Sequence, residues 1–174
     1  MTGNANLYAH FQKNFPIDLN KELLATAQGR SVSYAEADHA CARIANALLQ
    51  LGASRGDRIT VQVEKSVENL FLYLACLRAG LVYHPLNTAY TAAELEYFVG
   101  NAEPTIVVCG SDSVSIINSV LPSDSEKAPA VKALLTLDAS GSGSLMEQAS
   151  QASADAEVAQ CDGADMAALL YSSG

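Results

Sequence analysis

The strongest constraint on this chain is a repeated alternation. Short β-branched runs are followed by segments of helical periodicity, several of which carry their own start and stop signals. Ser33-Tyr34-Ala35-Glu36 has the form of a capping box, in which the Ser hydroxyl covers an orphan N–H of the first turn and the Glu reaches back to the cap. Ala37, Cys41, Ile44, Leu48 and Leu51 then recur at helical spacing. Glu36, Arg43, Asn46 and Gln50 mark the polar side, and Gly52 is a suitable stop. After a turn at 54–57, Arg58-Ile59-Thr60-Val61-Gln62-Val63 predicts a strand. Ser66 can cap a second helix, whose stripe of Val67, Leu70, Phe71, Leu74 and Leu77 is backed by Leu72, Tyr73, Ala75 and Cys76. Such a helix is expected to be buried on most sides before it stops at Gly80.

The pattern continues with strands expected at 81–86, 105–109 and 133–137. A Thr91 to Glu94 capping box opens a helix through Val99, Ser111 to Leu121 reads as another, and Ser144 to Glu147 is a weaker box. Continuous apolar strands suit a parallel sheet covered on both faces. The expected fold class is therefore α/β, a mostly parallel sheet with helices on both faces. Residues 122–130 and 150–165 are rich in Ser, Ala, Asp, Gly or Pro and are expected to be mobile surface connections.

With 174 residues, 49% of them hydrophobic, the chain has enough apolar material for one ordinary domain, which would bury roughly 70% of its unfolded surface. Ten Lys and Arg against nineteen Asp and Glu give a net charge of -9, which repels nucleic acid and anionic membranes, so neither is an expected partner. A nucleotide is still compatible, because backbone N–H groups and a few local cations hold phosphates on an acidic protein. The N-terminal stretch lacks the basic start and apolar core of a signal peptide, and no apolar run approaches a membrane span, so a cytoplasmic protein is expected. Cys41, Cys76, Cys109 and Cys161 are scattered, with no CxxC and no His at ligand spacing. They read as reduced, mostly buried thiols, and no metal site is expected. The chain contains no complete P-loop, nucleophile elbow or G-x-G-x-x-G turn. His10, His39 and His84 are isolated in sequence and read as structural or surface residues, so no catalytic residue is assigned.

The run Ala167-Ala168-Leu169-Leu170-Tyr171 followed by Ser172-Ser173-Gly174 reads in two ways. It is either a frayed tail or an apolar strand leading into hydroxyl donors and a flexible backbone suited to phosphate.

Three stretches in order carry a family resemblance. Ser33-Tyr34-Ala35-Glu36-Ala37 resembles an early aromatic-x-Glu-Leu motif. Residues 77–87, LRAGLVYHPLN, resemble L-x-A-G-x-x-Y-x-P-L-[ND], and residues 169–174, LLYSSG, resemble the opening of Y-[TS]-S-G-[ST]-T-G-x-x-K-G. The chain is similar, over essentially its whole length, to the N-terminal part of the adenylate-forming (AMP-binding) ligases. These include acyl-CoA synthetases, firefly luciferase and peptide-synthetase adenylation domains. Residues 64–109, with the segment PLNTAYT, look most like malonyl-CoA synthetases. Two positions depart from the motifs: Ala37 stands in place of Leu, and Ser172 where Thr is commoner, which keeps the hydroxyl.

The resemblance implies a partial N-terminal domain of an ATP-dependent acyl-CoA synthetase. ATP, Mg2+ and CoA would serve the parent enzyme, with a malonate-like carboxylate as substrate. Ser172, Ser173 and Gly174 would begin the ATP phosphate loop. Its remainder, the adenine and carboxylate pockets and the C-terminal domain with its lysine would lie beyond residue 174. The chain alone is accordingly expected to be inactive, to bind none of these ligands tightly, and to self-associate through exposed apolar faces. Pro85 and Asn87 are expected to shape a strand end and turn rather than touch ligand. The alternatives are a non-enzymatic α/β binding or interaction module on the same scaffold, or another acyl- or amino-acid-activating branch.

Overall fold

The computed structural model describes residues 3–121 and 131–171. The connection expected at 122–130 therefore lies outside the described residues, as do Ser172, Ser173 and Gly174. A short helix α1 (Leu7–Gln12) and an antiparallel hairpin of β1 (Glu22–Ala25) and β2 (Ser31–Ser33) precede the main body. Neither was legible as an element, because each is too short to display a period. Helix α2 (Tyr34–Gln50) begins at the expected box: Ser33 accepts from the Glu36 N–H, and the Glu36 carboxylate accepts from the Ser33 N–H.

Four strands form the central sheet, all parallel, in the order β4 (Val82–Pro85), β3 (Arg58–Gln62), β5 (Ile106–Cys109) and β6 (Ala133–Thr136). The α/β class is therefore as expected. Helix α3 (Val67–Ala79) joins β3 to β4, starting at a Ser66 cap and ending at Gly80, whose φ of 67° a side chain would strain. Helix α4 (Ala92–Ala102), opened by the Thr91–Glu94 box, joins β4 to β5. Residues 111–113 make a single 3-10 turn before α5 (Val114–Val120).

Period-two alternation sorts the strands onto two cores. Ile59, Val61, Ile106, Val108 and Leu135 face α2, α3 and the final helix α6 (Ser144–Gln151). Val107 and Cys109 face the other way, toward Leu95 and Val99 of α4 and Ile117 of α5. Burial is thus two-sided, which is why the strands read as continuous apolar runs.

Two local expectations are corrected. Ser144 does not cap α6, because its hydroxyl accepts from the Thr136 N–H at 2.9 Å while the Ser144 N–H donates to the Thr136 hydroxyl at 2.9 Å. Gly143, at φ 132°, takes the cap position instead. The apolar run before Ser172 is not a strand. It contributes one parallel bridge, Ala168 beside Tyr83, with the Leu169 N–H donating to the Tyr83 carbonyl at 3.0 Å. This places the run against the outer edge of β4.

Of the connection expected at 150–165, residues 150 and 151 belong to α6, while 152–165 has no regular element yet is strapped down. Arg43 donates to the Ala152 carbonyl at 2.8 Å, Asn46 to those of Ser153 and Asp155, and Arg78 to that of Ala156. The side of α2 expected to be wet is therefore partly covered by this strap. No helix among the described residues is long and apolar enough to cross a membrane.

Candidate functional site

Strand β3 opens on Arg58 and carries two buried polar residues, Thr60 and Gln62, alternating with the apolar Ile59 and Val61. Their alternation puts both on the α4 face, and the register places His84 of β4 directly beside Thr60. All three are buried, with His84 and Thr60 wholly so. Thr60 Oγ1 and His84 Nδ1 are 2.8 Å apart. Gln62 donates through Nε2 to the Asn87 carbonyl at 3.2 Å, which ties the end of β3 to the turn after β4. The Asn87 side chain accepts from the Ala89 N–H, so Pro85 closes the strand and Asn87 shapes the turn. Two atoms of this seam have no partner among the described residues: His84 Nε2 and Gln62 Oε1.

Burial holds the His84 ring neutral, with the cationic Arg58 adding to the effect, and its pKa falls from the ordinary 6.5 to about 4. Thr60 owns a single hydroxyl proton, and no other partner for it is present among the described residues. Donation of that proton to Nδ1 satisfies both atoms and leaves the imidazole proton on Nε2, as an unused donor.

Above this seam lies an aromatic column. Tyr90 stacks on Phe98 with centroids 4.9 Å apart, Phe98 packs on Tyr171 at 4.7 Å, and Tyr171 meets the His84 ring edge-on at 5.5 Å. Tyr171 immediately precedes Ser172-Ser173-Gly174. The 77–87 stretch and the 169–174 stretch, far apart in sequence, thus meet at the His84–Tyr171 contact. The Ser33–Ala37 stretch does not join them, since its backbone bonds run to the hairpin region, Tyr34 N–H to Lys21 and Ala35 N–H to Leu19. His84, read from sequence as structural or surface, adds a side-chain contact to the backbone bond by which Tyr83 joins the two stretches. The one sequence signal for it was the polar interruption of β3.

A second concavity of about 680 Å3 lies at the carboxyl ends of β3, β5 and β6, lined in part by Gln62, Thr88, Ser111 and Asp138. In doubly wound sheets such crevices hold ligands where the strand order reverses. Here the Asp138 carboxylate accepts from the Ser111 N–H and hydroxyl, both at 2.8 Å, and these bonds hold its pKa low. Glu64 and Asp112 line the same space. Three carboxylates repel a polyphosphate, so this crevice does not suit nucleotide phosphates.

The thiols have no visible part in either place. Cys41, Cys76 and Cys109 are buried and Cys161 is half-buried, all free. Desolvation pushes Cys41 up to about 12 and Cys109 up to about 11, so neither is a nucleophile near neutral pH. Among the described residues, no group of three or more His, Cys, Asp or Glu could hold a metal ion.

Comparison with known proteins bears on the same residues. The family described as AMP-binding enzyme matches residues 12–174. The crystal structure of ATP-bound MatB from Rhodopseudomonas palustris superposes with a TM-score of 0.88 at 44% identity, covering 98% of this chain and 33% of that one. The long-chain-fatty-acid–CoA ligase FadD13 of Mycobacterium tuberculosis is 29% identical over 143 residues, 82% of this chain and 27% of its own length. The medium-chain fatty-acid–CoA ligase of Escherichia coli K12 is 33% identical over 101 residues, 58% of this chain and 18% of its own. The chain thus spans a third or less of the length of these relatives.

Proposed function

The chain belongs to the AMP-binding enzyme family, and from that premise we propose that it forms the first part of the catalytic domain of a cytoplasmic acyl-CoA synthetase that activates malonate. The observation that carries the reading is the packing of Tyr171 on His84, which gives the start of the phosphate loop a buried footing in the 77–87 stretch. Malonate is supported by the likeness of residues 64–109 to malonyl-CoA synthetases. The identity of 44% to MatB, against 29% and 33% to the fatty-acyl ligases, favours the same branch.

In the proposed reaction a substrate carboxylate attacks the α-phosphate of Mg-ATP, releasing pyrophosphate, and the thiol of CoA then displaces AMP from the mixed anhydride. Bound ATP supplies the leaving group that makes the carboxylate reactive. The chain's part is to position charge. By motif resemblance, Ser172 and Ser173 would offer hydroxyl donors, and Gly174 a side-chain-free backbone, to the β- and γ-phosphates. The seam beneath Tyr171 is compatible with phosphate nearby, since it holds the unpartnered His84 Nε2 and no carboxylate. Among the described residues no group of three or more His, Cys, Asp or Glu could hold Mg2+.

Malonate-dependent pyrophosphate release by the full-length protein tests the reading. Release with malonate that exceeds release with acetate or octanoate by tenfold or more is expected, and preference for a fatty acid would move the protein to another branch. The 174-residue chain alone is expected to release none. It is also expected to self-associate, because Leu170, Met166 and Tyr97 are each more than half exposed. A stable monomer by light scattering at high concentration would refute that last point.

A further inference from the structure

His84 is wholly buried, yet one of its two ring nitrogens has no partner among the described residues. A buried donor left unpaired forfeits its hydration without recompense, so an orphan of this kind calls for an explanation. Packing alone does not supply one. Leucine or phenylalanine would fill the space between Thr60 and Tyr171 without an idle N–H, as Leu86 and Val107 do elsewhere on this face of the sheet.

The surroundings of the ring show where the missing acceptor would come from. On one side Thr60 Oγ1 lies 2.8 Å from Nδ1, and donation of the Thr60 hydroxyl proton to Nδ1 leaves the ring proton on Nε2. On the other side stands Tyr171, held laterally by Phe98, which is itself stacked on Tyr90. Phe98, backed by Tyr90, and the His84 imidazole thus fix the position of Tyr171, the last residue before Ser172. No carboxylate takes part in these contacts, and the charge that acts on the ring is the cation of Arg58. A neutral N–H beside a cation favours an anionic or strongly dipolar oxygen.

We propose that His84 is a positioning residue for nucleotide phosphate: fixed by Thr60, it seats Tyr171 and holds its Nε2–H in reserve for an oxygen acceptor that arrives with the bound nucleotide. This rests on the ATP-dependent reading above and goes beyond it, because no residue of the 77–87 stretch was expected to touch ligand.

The test uses the full-length protein and two readouts. The first is the calorimetric Kd for Mg-ATP without carboxylate, and the second is KM and kcat from pyrophosphate release. His84→Leu keeps the apolar contact with Tyr171 and removes the donor. It is expected to weaken Kd and KM for Mg-ATP by about 10- to 100-fold, with KM for the carboxylate unchanged. His84→Gln returns an amide N–H near the position of Nε2 and is expected to recover affinity to within about threefold of the parent. Thr60→Val leaves the ring but frees its tautomer, and an intermediate loss is expected.

An unchanged Kd in His84→Leu, even with a lowered Tm, would reduce His84 to a packing residue and overturn the inference. So would His84→Gln as impaired as His84→Leu. If His84→Leu does not fold, Thr60→Val decides alone, and a wild-type Kd there overturns the proposal. Failure of the unsubstituted protein to bind Mg-ATP would overturn the ATP-dependent reading together with this one. Normal activation by the parent, with normal affinity in the variants, would remove only the role of His84.

Discussion

Two buried polar clusters sit on opposite faces of the same sheet, and they differ in how completely their atoms are paired. Behind α3, Arg78 donates to Asp38 at 2.8 Å, to the Tyr8 hydroxyl and to the Ala156 carbonyl, while Tyr8 donates to Asp38 at 2.6 Å. No buried side-chain atom of that cluster is unpartnered among the described residues. Beneath α4, Thr60, Gln62 and His84 are more deeply buried and leave two atoms without a partner among the described residues. A satisfied cluster holds a fold together, and an unsatisfied one is strained until something else binds. The first cluster clamps α1, α2, α3 and the 152–165 strap into one body. The second lies under the residue that opens the candidate phosphate loop. The difference teaches that burial of polar groups by itself is not a sign of function, whereas incomplete pairing is a sharper one.

The largest effect should come from breaking the satisfied cluster. Arg78→Met leaves Asp38 without its cationic partner and the Ala156 carbonyl without its donor, and a loss of about 3–5 kcal/mol in urea unfolding is expected. Arg78→Lys should recover only part of it, because an ammonium does not reproduce the guanidinium fork that spans these partners. A loss below about 1 kcal/mol would mean that the strap, not the arginine, holds the three helices together.

The second effect separates the clusters by pH. The unfolded His84 takes up a proton near 6.5, whereas the folded one does not until about 4. Protonation therefore favours the unfolded chain in that interval, and stability is full above pH 6.5 and drains as pH falls toward 4. Each pH unit across that interval is worth about 1.4 kcal/mol, which brings the loss to the order of 3 kcal/mol. The capping carboxylates Glu36 and Glu94, held low by their bonds to Ser33 and Thr91, add their own losses at the acid end of this window and below it. Chemical unfolding of His84→Gln at half-unit pH intervals should show the slope between 6.5 and 5 flattened. An unaltered slope would assign it to other groups.

A smaller change is expected in the strap. Asn46→Ala removes two bonds to the carbonyls of Ser153 and Asp155, for about 1–2 kcal/mol, and should speed amide exchange across 153–157 without touching the sheet. The smallest belongs to the unpaired cluster. Gln62→Leu deletes an orphan oxygen along with one long bond of 3.2 Å, so the two effects oppose each other and a change within about 1 kcal/mol is expected. A loss as large as that of Arg78→Met would erase the contrast between the two faces.

Much of the architecture was legible because it rests on local rules. The boxes at Ser33 and Thr91, the Ser66 cap and the Gly80 stop are decided within four residues of chain, and each stands where its motif puts it. Ser144 failed as a cap for the complementary reason, that Thr136 on a neighbouring strand competes for its hydroxyl. Arg43 and Asn46 were assigned to solvent because helical periodicity does not know that a distant segment returns to cover them. The Ser172-Ser173-Gly174 site, outside the described residues, is carried by motif resemblance alone.

By itself the sequence determined the alternating elements, the two-sided burial of the sheet and membership of the AMP-binding enzymes, because capping, period and motif are properties of contiguous chain. Only the tertiary structure decided that Arg78 is fully paired and His84 is not. Pairing depends on which strands and loops come to lie beside a buried group, and a residue's own neighbours in sequence carry no record of that.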